Sequence, residues 1–157
     1  FRSEDPDILK DLPRHAAVPG LDPHALVHQR PDGSWILADT ASRRLIGHLS
    51  LWWTRTPLHQ GRRVGFIGHY AAADHAAGRQ LLGHACSQLR SESCSLAVGP
   101  VDGNTRRNYR FVTESTAVPP FFLEPANPSE WPRHFEEHGF MPLARYASVY
   151  RLRIMRA

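Results

Sequence analysis

Residues 62–104 constrain the fold more than any other stretch. They hold in succession an apolar strand (Val64-Gly65-Phe66-Ile67-Gly68-His69-Tyr70), a small-residue turn (Ala71-Ala72-Ala73-Asp74), a helical pattern from His75 to about Arg90, and a second apolar run (Leu96-Ala97-Val98-Gly99-Pro100-Val101). Within the helical pattern Ala77, Leu81, Leu82, Ala85, Cys86 and Leu89 form one stripe, with Arg79, Gln80, His84, Gln88 and Arg90 largely opposite. Asp74 stands where an N-cap is wanted. Strand, helix and strand in about forty residues make one βαβ-like unit, and the N-terminus of its helix is a natural anion site. A ligand is expected there first.

The rest of the chain supplies strands and caps around that unit. Ala25-Leu26-Val27-His28-Gln29 and Trp35-Ile36-Leu37-Ala38 flank Arg30-Pro31-Asp32-Gly33-Ser34, whose Pro, Asp and Gly suit a tight turn, so a hairpin is expected. Asp39 and the residues through Arg43 make the next turn, and residues 45–53 alternate as a third strand. After Val101 comes a polar segment, then Phe121-Phe122-Leu123-Glu124, which prolines on both sides limit to a short strand. Asn127 or Ser129 caps a helix with Pro132 in its first turn, and Gly139 stops it. Residues 144–152 alternate as a closing strand.

A chain of 157 residues with 41% apolar content is the size of one folded domain, here residues 25–157 behind a Pro-rich arm at residues 1–24. No apolar run approaches the roughly 18 residues that span a bilayer, which argues for a soluble protein. Cys86 and Cys94 are expected to be reduced thiols, which favours a cytoplasmic setting. The net charge of +4 rests on arginine, but no run of Arg interleaved with aromatics forms a nucleic-acid platform.

The order of elements resembles the GCN5-related N-acetyltransferases. That family's pyrophosphate loop reads Gln/Arg-x-x-Gly-x-Gly/Ala before a Leu pair; Ala73-Asp74-His75-Ala76-Ala77-Gly78 before Arg79-Gln80-Leu81-Leu82 keeps the last Gly and the Leu pair and replaces the other two signature positions by alanine. A second motif, an Asn near a helix start that ends in Tyr-x-x-x-Gly-Phe, is matched by Asn127 and Phe135-Glu136-Glu137-His138-Gly139-Phe140. Gly99-Pro100-Val101-Asp102-Gly103-Asn104-Thr105 is similar to the Gly-Pro-x-x-x-x-Thr segment of one subgroup.

The resemblance implies an α+β fold with a mixed, mainly antiparallel, splayed sheet flanked by helices. It implies acetyl-CoA as co-substrate, held by Tyr70, Ala71, Ala72, His75, Ala76, Ala77, Gly78 and Arg79, with Asn104 and Thr105 at the cleft, and a small-molecule or peptide amine as acceptor. A homodimer is left open. The family's thiolate-protonating Tyr falls on Phe135, which has no proton to give, so Tyr70, Tyr109, Tyr146 or water must replace it, with Tyr146 preferred. No Glu lies on the 64–70 strand, which leaves His69, Glu114 or Glu124 as base, His69 and Glu124 foremost. The acceptor side would be missing, rebuilt or supplied upstream. The alternative is an acetyltransferase-like domain without catalysis, serving as a CoA-binding or protein-interaction module.

His134-Phe135-Glu136-Glu137-His138 also fits the His-x-x-Glu-His pattern of inverted zinc peptidases. No acid follows Glu137 to serve as third ligand, so no metal is expected and the segment reads as a solvated helix face. Trp52-Trp53 and Phe121-Phe122 read as core packing, and His24 and His28 as surface residues of the first strand.

Overall fold

The computed structural model of the protein describes residues 16, 18, 19, 26, 28–114 and 126–147. The short strand expected at 121–124, Phe121 and Phe122 with it, most of the N-terminal arm and residues 148–152 of the closing strand lie outside the described residues.

β-Branched and aromatic residues in alternation build the sheet. β1 (Gly33–Ala38) pairs antiparallel with β2 (Leu45–Trp52), and β2 with β4 (Arg62–Ala72). The two-residue β3 (Leu58–His59) folds back on the start of β4, and β5 (Leu96–Val98) lies parallel to β4 on its other side. The helix α1 (His75–Ser91) crosses between β4 and β5, and α2 (Glu130–Glu137) is the last regular element among the described residues. This is the mixed, mainly antiparallel sheet with flanking helices expected above.

Leu81, Leu82, Ala85 and Leu89 of α1 pack on Leu45, Leu49, Leu51 and Ile67 of the sheet. Gly65 makes that approach close: a Cβ there would sit 2.4 Å from Leu89 Cδ2. Burying side chains of this size at about 25 cal/mol per Å² is the main force holding helix to sheet.

The first hairpin is not the one the sequence suggested. Leu26, His28 and Gln29 are helical, with Arg30 N–H bonded to Leu26 O, and the hairpin joins β1 to β2. The Gln29 carbonyl takes the Trp52 indole N–H at 2.9 Å, and Asp32, past Pro31, binds the Trp53 and Thr54 amides, so the groups that would form a ladder are spoken for. His28 accordingly lies on a helical turn and not on a strand. At the other end, residues 144–147 carry no strand.

One bulge in β4 positions the site. His48 pairs with Ala71 and Ser50 with Gly68, so Leu49 of β2 faces two residues of β4, His69 and Tyr70. His69 takes the left-handed conformation there, φ 47°, and the extra residue re-aims the strand's end. The β4–β5 ladder ends before the bulge, at Phe66 and Val98, and past that point the Val101 N–H still bonds Ile67 O at 2.8 Å.

Candidate functional site

The small residues after the bulge let a helix start close to the strand. Asp74 caps α1 as expected, its carboxylate accepting the Ala77 N–H at 2.8 Å, and the Gly78 N–H bonds Asp74 O. Within the first turn this leaves the N–H groups of His75 and Ala76 without a partner among the described residues. The β4–α1 junction borders a cleft of about 640 Å³ that α2 bounds on its other side. Ala72, Ala73, Asp74 and His75 form one wall; Pro128, Glu130, Trp131, Arg133, His134 and Glu137 form the other.

Three polar contacts tie the two walls. Trp131 Nε1–H donates to Ala72 O at 3.1 Å, the Tyr70 hydroxyl and His134 Nδ1 share a hydrogen bond of 2.8 Å, and His75 Nε2 meets Glu137 Oε2 at 2.9 Å. Burial pushes the Tyr70 hydroxyl far above the usual phenol range, so it remains a donor. The His134 ring is held below the usual imidazole range by burial and by the neighbouring His75, against the pull of Glu130, Glu137 and Asp74. Beneath the cleft Phe135, Trp131 and Phe111 pack edge-on around Tyr70 at 4.9, 5.6 and 6.4 Å between centroids. Phe135 is buried there, so nothing at that position donates a proton.

The cofactor residues named from the sequence divide into two groups. Ala72 and His75 line the cleft, while Tyr70, Ala71, Ala77 and Gly78 lie buried beneath it. Ala76 and Arg79 are exposed on the outer first turn. Gly78 faces the two rings, where a Cβ would stand 2.6 Å from His134 Nδ1 and 2.7 Å from the Tyr70 hydroxyl. Asn104 and Thr105 are exposed in the loop after β5, where Asn104 Oδ1 holds the Arg106 N–H, and neither borders the cleft.

Of the catalytic residues named from the sequence, neither His69 nor Tyr146 lines the cleft. Trp35 packs on His84 of α1, so Ser34 and Ser50, one step along their strands, face away from α1. His69 joins them there, with Nδ1 accepting from Ser50 Oγ at 2.9 Å and Nε2 donating to Gln29 Oε1 at 2.8 Å. Its N–H donates to Asp102 Oδ1 at 2.7 Å. Burial foremost, then His48 and Arg107, lowers its pKa to about 4, so the ring is neutral with both nitrogens engaged. Tyr146 is exposed and stacks with Tyr109 and Arg110 away from the cleft. Glu114 is exposed, and Glu124 lies outside the described residues.

The sequence marked the α2 wall only by the metal pattern set aside above. Reading residues 134–138 as a solvated face is corrected by burial: His134 is 3% and Phe135 4% exposed. The available signal was the spacing of Trp131, His134 and Phe135 at i, i+3 and i+4, which places them on one helical face. Among the described residues no cluster of His, Cys, Asp or Glu could hold a metal ion, both cysteines are free thiols, and no helix is long and apolar enough to cross a membrane.

No protein-family model matches this chain, and no curated protein does. Solved structures do. A mutant of TTHA1254 from Thermus thermophilus is 14% identical over 95% of both chains, with a TM-score of 0.56. A tetramutant of the BH1408 protein from Bacillus halodurans is 13% identical over 85% of this chain and 76% of that one, TM-score 0.50. An acetyltransferase from Trypanosoma brucei is 17% identical over 85% and 82%, TM-score 0.47. At such identities the likeness is one of fold, and TTHA1254 shares it end to end.

Proposed function

We propose that this chain binds acyl-CoA in the cleft between the β4–α1 junction and α2 and transfers an acetyl group from acetyl-CoA to an amine. The observation that carries the reading is the β4–α1 junction itself: a strand bulged past the end of its β5 ladder, running through small residues into a helix whose start borders a cleft. Its fit to the donor is mixed. The His75 amide with Arg133 suits a phosphate, and Ala72, Trp131 and Pro128 suit an uncharged pantetheine arm. Asp74, Glu130 and Glu137 oppose the phosphates, so these rest at the mouth and not over Gly78. The sequence likeness to the acetyltransferase subgroup with a Gly-Pro-x-x-x-x-Thr segment supports the same reading.

A second reading, a domain that binds acyl-CoA without turnover, is favoured by buried Phe135 and by the engaged ring of His69. Calorimetric titration with acetyl-CoA tests both. Ligand at 100 times its dissociation constant should stabilise the fold by about 2.7 kcal/mol. Arg133→Glu should weaken binding by roughly tenfold, because it removes one charge-assisted hydrogen bond to phosphate. No heat and no thermal shift at millimolar acetyl-CoA sink the proposal. Binding without product across a panel of amines selects the second reading.

A further inference from the structure

The geometry points to His134 as a ligand-contacting residue whose Nε2–H donates into the cleft to an uncharged carbonyl oxygen, with Tyr70 as the residue that fixes its tautomer. The inference rests on the acyl-CoA reading above and deepens it: the acceptor is an amide or thioester carbonyl of the acyl-pantetheine arm.

Tyr70 is nine-tenths buried, and its hydroxyl has one partner among the described residues, His134 Nδ1 at 2.8 Å. With no other acceptor in reach among the described residues, the buried hydroxyl spends its one hydrogen on Nδ1, so Nδ1 carries the lone pair and Nε2 the proton. The His134 side chain is 3% exposed, yet Nε2 has no hydrogen-bond partner among the described residues. Every side-chain nitrogen or oxygen sealed from solvent in the described part of the protein does have one, so Nε2 is not sealed, and the free surface that His134 reaches is the wall of the cleft. A neutral imidazole held in one tautomer by a second group is a donor of defined direction. The charges around it choose the acceptor: Asp74, Glu130 and Glu137 share this cleft with Arg133 alone as a permanent cation, which disfavours an anion beside His134 and leaves a carbonyl. Gly78 belongs to the same device, since any larger residue would displace both rings.

The test combines 15N NMR of the free protein with acetyl-CoA titration. At pH 7 the His134 ring should show a single Nε2–H tautomer, and in Tyr70→Phe a mixture. A Nδ1–H or protonated ring in the wild type overturns the inference whatever the protein binds. His134→Leu should weaken acetyl-CoA by roughly tenfold, one neutral hydrogen bond, while His134→Gln, whose amide reaches the Nε2 position, should recover most of that. Because His134→Leu strands the Tyr70 hydroxyl, the paired variant Tyr70→Phe/His134→Leu keeps the fold testable and should show the same loss. Unchanged affinity in His134→Leu and in the pair overturns the inference and leaves acyl-CoA binding standing. A wild-type protein that ignores acetyl-CoA overturns both.

Discussion

Gly78 and Gly83 lie five residues apart on α1 and are glycine for different reasons. At Gly83 a Cβ would meet nothing nearer than His138 at 3.7 Å, so Gly83→Ala should stabilise the protein by about 0.5–1 kcal/mol, the helix-propensity gain. At Gly78 the same methyl would enter the space of the His134 ring and the Tyr70 hydroxyl, and Gly78→Ala should destabilise by about 1–3 kcal/mol. Urea midpoints of the two variants check the contrast; a stabilised Gly78→Ala would show that the two rings yield freely. His69 illustrates the opposite economy of space. Its left-handed backbone costs on the order of 1–3 kcal/mol, and it is held by bonds to Ser50, Gln29 and Asp102 and by the Trp52 ring 5.2 Å away.

At the scale of elements, α2 is the one that tertiary contacts sustain. Eight residues are too few for an isolated helix, and its N-cap, Ser129, is in the helical region and makes no capping bond. The expectation that Asn127 or Ser129 caps it fails because Asn127 is used elsewhere: its amide clamps the Val112 backbone, Oδ1 to N–H at 2.8 Å and Nδ2 to O at 3.1 Å. Asn127→Ala should therefore cost about 1–3 kcal/mol by leaving a backbone donor and acceptor unpaired, whereas Ser129→Ala should fall within about 0.5 kcal/mol of wild type. Thermal unfolding of both distinguishes a clamp from a cap. By contrast α1 was legible in full: the 3.6-residue stripe, the Asp74 cap and the length follow from local pattern, and the structure moves its end by one residue.

For the molecule as a whole, imidazoles whose pKa the fold lowers make stability depend on pH. His69, His84 and His134 all have their pKa lowered, chiefly by burial. The unfolded chain takes up a proton on each near 6.5 and the folded chain only at lower pH, about 4 for His69, so stability falls as pH drops from about 6.5 toward 4 and levels off below. His69 alone accounts for up to about 3 kcal/mol of that loss. Denaturant titrations from pH 7.5 to 4 should show it, and His69→Gln should flatten the curve; an unflattened curve would assign the loss to other groups.

The sequence alone determined the strand, turn, helix and strand at residues 62–104, because periodicity and capping act between residues a few places apart. The anion-ready start of α1 belongs to that local part. Tertiary structure decided the rest. A one-residue bulge between β2 and β4 sends His69 to one face of the sheet and Tyr70 to the other, and no local pattern marks it. Leu26, His28 and Gln29 are helical, and Trp52 and His69 take the polar groups of Gln29 from across the sheet. The cleft exists because Tyr70 and His134, 64 residues apart in the chain, share one hydrogen bond above a glycine. Partners at that separation are chosen by packing, which fills space in three dimensions and leaves little trace in one.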